Sequence, residues 1–269
     1  MAPDTRHTWD PDRYLTFADE RSRPFRELLV RVDAEHPRAV VDLGCGTGDL
    51  TALLAQRWPD ADVLGVDSSA EMVTRATASG RLRFEVGDLR AWVNGPSEPV
   101  DVLISNATLQ WLPDHLDLLP QLVEKVTPGG WFACGVPGNL DEPSHTIRRD
   151  LAAQAPYAQH TRDVAVPASH PPETYLDRLA GLGLRADVWE TTYLHVLGGD
   201  DPVFTWVSAT GARPTLQALP CGLREQFEAE FRSRLRAAYP ARDFGVVLPF
   251  RRIFMVAQRP FGTDAGGSR

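Results

Sequence analysis

Between residues 36 and 136, short apolar runs alternate with segments whose apolar positions recur at helical spacing. Ala39–Leu43, Asp62–Val66, Leu82–Val86, Val100–Ile104 and Trp131–Val136 read as strands: each is rich in apolar residues and is closed by Gly, Asp, Ser or Pro. Leu50–Arg57, Ala70–Thr77 and Leu116–Val126 read as helices, the last stopped by Pro128-Gly129-Gly130. Strands that are apolar throughout, separated by helices, are expected in a parallel sheet covered on both faces. The second half changes character. Glu173–Gly181, Val203–Thr210 and Leu223–Tyr239 predict helices, Val188–Val196 predicts a strand rich in Thr, Tyr and Trp, and Arg252–Gln258 predicts a final strand. Two further strands with helices inserted around them complete the same sheet. The expected fold is α/β, a doubly wound, mostly parallel seven-stranded sheet with helical cap insertions.

Composition narrows the class without changing that picture. Of 269 residues, 43% are hydrophobic and 24% charged, ordinary for a globular protein and unlike collagen, coiled coil or a disordered chain. With 28 basic and 36 acidic residues the net charge is −8, which argues against a nucleic-acid partner or an anionic membrane surface. A local arginine cluster could still attract a small anion. No run of ~18 uncharged apolar residues predicts a membrane span, and Met1–Asp10 lacks a basic-then-apolar leader pattern, so a cytoplasmic protein is expected; the sequence does not fix its oligomeric state, and a monomer is favoured. Cys45, Cys134 and Cys221 are widely spaced and form no C-x-x-C pair, so reduced thiols and no metal are expected.

The strongest chemical signal is V-V-D-L-G-C-G-T-G at Val40–Gly48, where a strand feeds a glycine loop and then a helix. Glycines allow a sharp turn and a close approach to a ligand. The spacing is G-x-G-x-G rather than the G-x-G-x-x-G of dinucleotide binders, and no Lys-Ser/Thr pair follows, which excludes a nucleoside-triphosphate loop. Asp67 closes the second strand about 20 residues on, where a carboxylate can accept from a ribose diol. Asp88 closes the third, where it can accept from an exocyclic adenine amine. Either acid alone reads equally as a helix cap. Together with the loop they mark the carboxyl ends of three strands, where open α/β sheets bind ligands.

D-L-G-C-G-T-G, then Val66-Asp-Ser-Ser69, then Gly87-Asp-Leu-Arg90, resembles a class I S-adenosylmethionine-dependent methyltransferase, whose sheet is Rossmann-like. The resemblance implies that Gly44 and Gly46 lie against the methionine part of S-adenosyl-L-methionine. Asp67 would hold the ribose, and Asp88 with Leu89 the adenine, with Met72 on the adenine face, Asp42 anchoring the loop and Tyr14 reaching the cofactor carboxylate. Asn106 would sit beside the methyl group, after the fourth strand. Ser105–Trp111 is not an Asn-Pro-Pro-Tyr loop, which speaks against methylation of a flipped base or a glutamine. Residues 36–136 would then be the cofactor-binding half of a single methyltransferase domain spanning 1–269. Residues 137–180 and 198–245 would form the cap and acceptor region, and 188–197 and 250–258 the final strands.

Further segments carry a narrower resemblance. Trp9–Phe17, Glu20–Pro24, Asn106–His115, Thr191–His195 and Trp206–Pro214 are similar to the corresponding stretches of trans-aconitate 2-methyltransferases, so the similarity runs from Trp9 to about Arg259. It implies transfer of one methyl group to a carboxylate of trans-aconitate, giving a monomethyl ester and S-adenosyl-L-homocysteine.

That chemistry sets its own requirements. A carboxylate is ionised at neutral pH and needs no general base, so no catalytic base is expected. The site must align one oxygen with the methyl carbon, exclude water, and hold the remaining carboxylates, a task suited to arginine. Arg213 is the only charged residue between Asp201 and Arg224, which points it at a ligand or at a local cap. Tyr193 and His195 share one face of their strand, and Trp206 lies one helical turn before Thr210. Arg21 and Arg23 on the N-terminal segment, Arg252 at the start of the last strand, and Gln110 and Trp111 complete the candidates for binding the acceptor. Each has a plain alternative in core packing, surface ion pairing or solvent exposure. Arg148-Arg149 reads as a solvated helix face. A neutral hydroxyl or amine acceptor is the alternative, and it would need a base, with His195 or His115 as candidates.

Overall fold

The computed structural model describes residues 18–261 except Ser97, with side chains from Ser22 onward. Its sheet has eight strands. β1 (Ala39–Leu43), β2 (Asp62–Asp67), β3 (Leu82–Val86), β4 (Val100–Asn106) and β5 (Val126–Pro137) are followed by β6 (Arg185–Leu197), the two-residue β7 (Ala241–Arg242) and β8 (Gly245–Gln258). The order is β3-β2-β1-β4-β5-β8-β6, with β7 paired only to β8. β1 to β5 run parallel, and β8 enters antiparallel between β5 and β6. The seven principal strands and the mostly parallel sheet follow the sequence reading; β7 adds a short hairpin turning into β8 through Asp243 and Phe244.

Helices α1 (Ala18–Val30) and α2 (Thr51–Arg57) cover one face of the sheet. Phe25, Leu28 and Leu54 pack there with Trp58, Val102, Ile104 and Phe254. α3 (Ala70–Arg75) packs against β2 and β3, and on the other face α4 (Leu89–Asn94), α5 (His115–Glu124) and α8 (Pro172–Gly181) contribute Leu89, Leu119, Leu122, Tyr175 and Leu179 to a cluster with Leu103 and Phe132. Each fully buried Leu or Phe contributes about 1.5–3 kcal/mol, so each cluster welds its helices to the sheet. A third cluster belongs to the cap: α6 (Pro143–Ala152), α7 (Ala158–Thr161), α9 (Pro202–Ser208), α10 (Arg213–Ala218) and α11 (Cys221–Ala238) bury Leu151, Tyr157, Phe204, Leu216, Phe227 and Phe231.

Two boundaries differ from the sequence reading for physical reasons. Pro128-Gly129-Gly130 does not stop a helix, because α5 already ends at Glu124 and the triplet lies inside β5. Gly129 has φ +84°, and a Cβ on Gly130 would stand 2.7 Å from the Asp101 carbonyl oxygen, so the glycines let β5 bulge against β4. β8 begins at Gly245, which puts Arg252 in mid-strand, opposite Pro137 on β5 and Thr191 on β6, and buries it.

Candidate active site

The glycine loop leaves β1 at the carboxyl end of the sheet. Gly44, Gly46 and Gly48 have φ of +84°, +57° and +81°, a region that side chains disfavour. The backbone N–H groups of Gly44 and Cys45 donate to the Val66 carbonyl at 2.7 and 3.1 Å, which ties the turn to β2. Thr108, just past β4, packs onto the loop so tightly that a Cβ on Gly44 would fall 1.9 Å from its hydroxyl oxygen. Asp67 closes β2 and accepts from the N–H of Gly46 and of Ser69, both at 2.9 Å. Each carboxylate oxygen has a second lone pair, which leaves acceptor capacity for a diol. Burial pushes the Asp67 carboxyl up, against those two hydrogen bonds.

Asp42 is buried in β1, two residues before the loop. Its Oδ2 accepts from the Thr51 hydroxyl at 2.7 Å, joining β1 to the first turn of α2. Its Oδ1 is buried without a partner among the described residues. Burial, with a smaller contribution from nearby Asp67, pushes the Asp42 carboxyl up from 3.8 to about 7. Between these values the folded protein holds a proton that the unfolded chain has released, so stability falls as pH rises through this interval. The isosteric Asp42→Asn variant lacks that term. In thermal melts of cofactor-free protein, its stability relative to the parent is expected to rise from about pH 5 to about pH 7.5. A difference that stays constant with pH would contradict the assignment.

Beside the loop, β4 ends at Asn106, and Ala107 takes the left-handed φ of +57° before the 3-10 turn Leu109–Trp111. This kink sets two amide side chains at the rim. Gln110 Nε2 donates to the Ala107 carbonyl at 2.6 Å, while Gln110 Oε1 and Asn106 Oδ1 are buried with no partner among the described residues. Asn106 Oδ1, Gln110 Oε1 and Asp42 Oδ1 are all acceptors in want of a donor. An amino-acid ammonium and sugar hydroxyls supply donors, so the residues present fit the methionine and ribose parts of S-adenosyl-L-methionine. Trp111, partly buried, closes the turn with its N–H on the Thr108 carbonyl.

On the adenine side, Asp88 caps α4, its Oδ1 accepting from the Ala91 N–H at 3.0 Å. Cap and ligand contact are compatible, since Asp88 is exposed and its other oxygen takes no part in the cap. Leu89 is buried in the sheet cluster, and Met72 is buried on α3, whose N-cap is the Ser69 hydroxyl.

The acceptor candidates gather around β6 and β8. Tyr193 and His195 do share a face, their rings stacked at 6.1 Å. His195 stacks on Trp206 of α9 at 4.7 Å, and Phe250 on β8 closes the aromatic group. The Arg252 guanidinium lies over Phe250 at 4.9 Å. The Tyr193 hydroxyl donates to Glu27 of α1 at 2.6 Å, and burial beside that carboxylate holds the phenol up. Arg23 lies over the Tyr193 ring but is exposed and paired with Glu27 at 2.9 Å, which makes it a brace for Tyr193 at the edge of the group. Thr210 follows α9 and donates to the Trp206 carbonyl, and half-buried Arg213 opens α10. Tyr14, the Trp9–Phe17 motif and the side chain of Arg21 lie outside the described residues.

Two residues stand elsewhere than the sequence placed them. His115 is fully buried, its Nδ1 on the Leu112 carbonyl and its Nε2 on the Tyr175 hydroxyl, both at 2.8 Å; burial depresses its pKa, and it is a core residue rather than an available base. Arg148 is 4% exposed, not a solvated-face residue, while Arg149 beside it is exposed. An Arg-Arg pair on a helix carries no sign of which member faces in; only the docking of α10 and α11 decides it.

A parallel sheet with one reversed strand, a glycine loop after β1 and acids closing β2 and β3 define a class I methyltransferase that uses S-adenosyl-L-methionine. Residues 40–130 match the family model described as a methyltransferase domain. The fold also resembles geranyl diphosphate C-methyltransferase from Streptomyces coelicolor solved with S-adenosyl-L-homocysteine, at 16% identity and a TM-score of 0.51 over 93% of this chain and 83% of that one. The chain is 48% identical to trans-aconitate 2-methyltransferase from Streptomyces avermitilis, over 94% of this chain and 97% of that protein. It is 47% identical to the Streptomyces coelicolor enzyme of the same name, over 97% and 90%. The chain belongs to the trans-aconitate 2-methyltransferase family.

Proposed function

We propose that the chain esterifies one carboxylate of trans-aconitate, with residues 36–136 holding the cofactor and 137–180 with 198–245 capping the acceptor. The observation that carries this reading is the extent of the similarity. The methyltransferase model stops at residue 130 and leaves the acceptor open, whereas the relatives named trans-aconitate 2-methyltransferase match the cap and late strands as well. When bound, S-adenosyl-L-methionine supplies an electrophilic methyl group, which a carboxylate oxygen takes in line to leave a monomethyl ester and S-adenosyl-L-homocysteine.

The chain's own residues have three tasks. Asp67, Gly46 and the rim amides Asn106 and Gln110 hold the donor. Trp206, Phe250, Tyr193 and His195 exclude water from the reacting oxygen, which raises its nucleophilicity. Arg252 and Arg213 neutralise the acceptor and fix its orientation, the larger part of the rate gain for a nucleophile already ionised. No proton has to be removed. Once the acceptor is fully ionised, kcat/KM is therefore expected to vary less than about twofold between roughly pH 7 and pH 9. A rate that climbs tenfold per pH unit in a steady-state profile would favour a neutral acceptor and a general base.

A further inference from the structure

The segment from the end of β5 through α6 buries polar groups that the account above does not use. Arg148 is 4% exposed, and its one recorded partner is the Thr215 hydroxyl on α10, at 2.8 Å. Its Nε is buried with nothing to donate to, and no carboxylate among the described residues forms an ion pair with it. Ser144, one helical turn earlier on the same face, is 2% exposed; its N–H is taken by the Tyr239 hydroxyl, and its own hydroxyl lies against that same oxygen. Asn139 is 2% exposed, and both the oxygen and the nitrogen of its side-chain amide are buried without partners among the described residues. It follows Pro137 and Gly138, which are held beside β8 at Arg252 and Arg251, next to the rim where β4 ends.

Buried polar groups are almost always satisfied, and a buried guanidinium without an acid is costly. Here Arg148 and Asn139 lie within ten positions of one another with Ser144 between them, beside the buried Thr215 and the apolar cluster of the cap. What they share is hydrogen-bond donors: guanidinium N–H, hydroxyl and amide N–H₂. An ionised carboxylate accepts from the guanidinium and the amide N–H₂ and neutralises the buried charge of Arg148, which a water or a neutral hydroxyl does not. His145 on the same helix fits the pattern. Burial and the two adjacent arginines push its pKa down to about 4, so it stays neutral and adds no second charge.

We infer that Asn139, Ser144 and Arg148 form a carboxylate-binding subsite that reads a carboxylate of the acceptor other than the one esterified. The inference rests on the proposed function and deepens it: Arg148 sets the preference for a tricarboxylate over a dicarboxylate. Thr215 is the positioning residue that holds the guanidinium in place.

The test uses the full chain preloaded with S-adenosyl-L-homocysteine. Calorimetry and steady-state kinetics compare trans-aconitate with mesaconate, glutaconate and itaconate, each of which lacks a different carboxylate. The parent is expected to bind trans-aconitate on the order of 30-fold more tightly than the dicarboxylate lacking the group Arg148 holds. Arg148→Met should erase that preference and raise KM for trans-aconitate by a similar factor, leaving cofactor affinity and binding of that dicarboxylate within about twofold. Parent and variant binding trans-aconitate equally would overturn the subsite, as would equal losses on all four acids. If Arg148→Met gives no cooperative melt, the double variant Asn139→Ala/Ser144→Ala decides: a fall of about fivefold or more in the preference supports the subsite, and an unchanged preference overturns it. Absence of turnover on trans-aconitate by the parent would instead defeat the functional reading, and the calorimetric comparison with Arg148→Met would still decide the subsite.

Discussion

Asp67→Ala is expected to weaken binding of S-adenosyl-L-homocysteine by on the order of 10²–10³-fold, because it removes two charge-assisted hydrogen bonds of about 1.5–3 kcal/mol each together with the acceptor for the ribose. The carboxylate holds the Gly46 and Ser69 N–H groups at 2.9 Å, so its loss also frees the loop that shapes the cofactor site. Asp67→Asn keeps the shape but has one acceptor oxygen, and is expected to fall between the two. Titration calorimetry measures both. Affinity within about threefold of the parent in the Ala variant would remove Asp67 from the cofactor site.

Arg252→Met is expected to lower kcat/KM for trans-aconitate by about 10²–10³-fold while cofactor affinity stays near that of the parent. Truncating one member of a buried, hydrogen-bonded charge pair costs about 2–5 kcal/mol, much of it from the partner charge left unpaired. Arg252 is 7% exposed and lies over Phe250 beside the Tyr193–His195–Trp206 group, so the pair it would form with the acceptor is shielded from water. Met preserves length and apolar packing, which separates lost charge from lost volume. A variant with unchanged KM and kcat would place Arg252 in the frame of the sheet and outside the acceptor site.

What could be read from the chain depends on how local its cause is. The glycine loop, Asp67 and Asp88 were legible because a tight turn and a strand end write their chemistry into neighbouring residues. Tyr193 and His195 were legible because a strand has a period of two, and the stacking of both rings follows from it. The bulge at Gly129 was not, since proline and glycine end a helix and bend a strand in the same letters; only pairing with β4 distinguishes them. Arg252 was placed at a strand end because Gly245–Arg251 carries Pro249 and a second arginine, and nothing local shows that β6 pairs along its whole length. The burial of Arg148 is not legible for a related reason: it comes from α10, more than 60 residues on, through Thr215.

The account depends on methyl transfer to an ionised oxygen. Incubating the chain with trideuteromethyl-labelled S-adenosyl-L-methionine and trans-aconitate, then resolving products by mass spectrometry, tests this directly. The expected result is a single trideuteromethyl ester formed in equal amount with S-adenosyl-L-homocysteine. Label found only on a hydroxyl, amine or carbon acceptor, with none on the polycarboxylate, would contradict it.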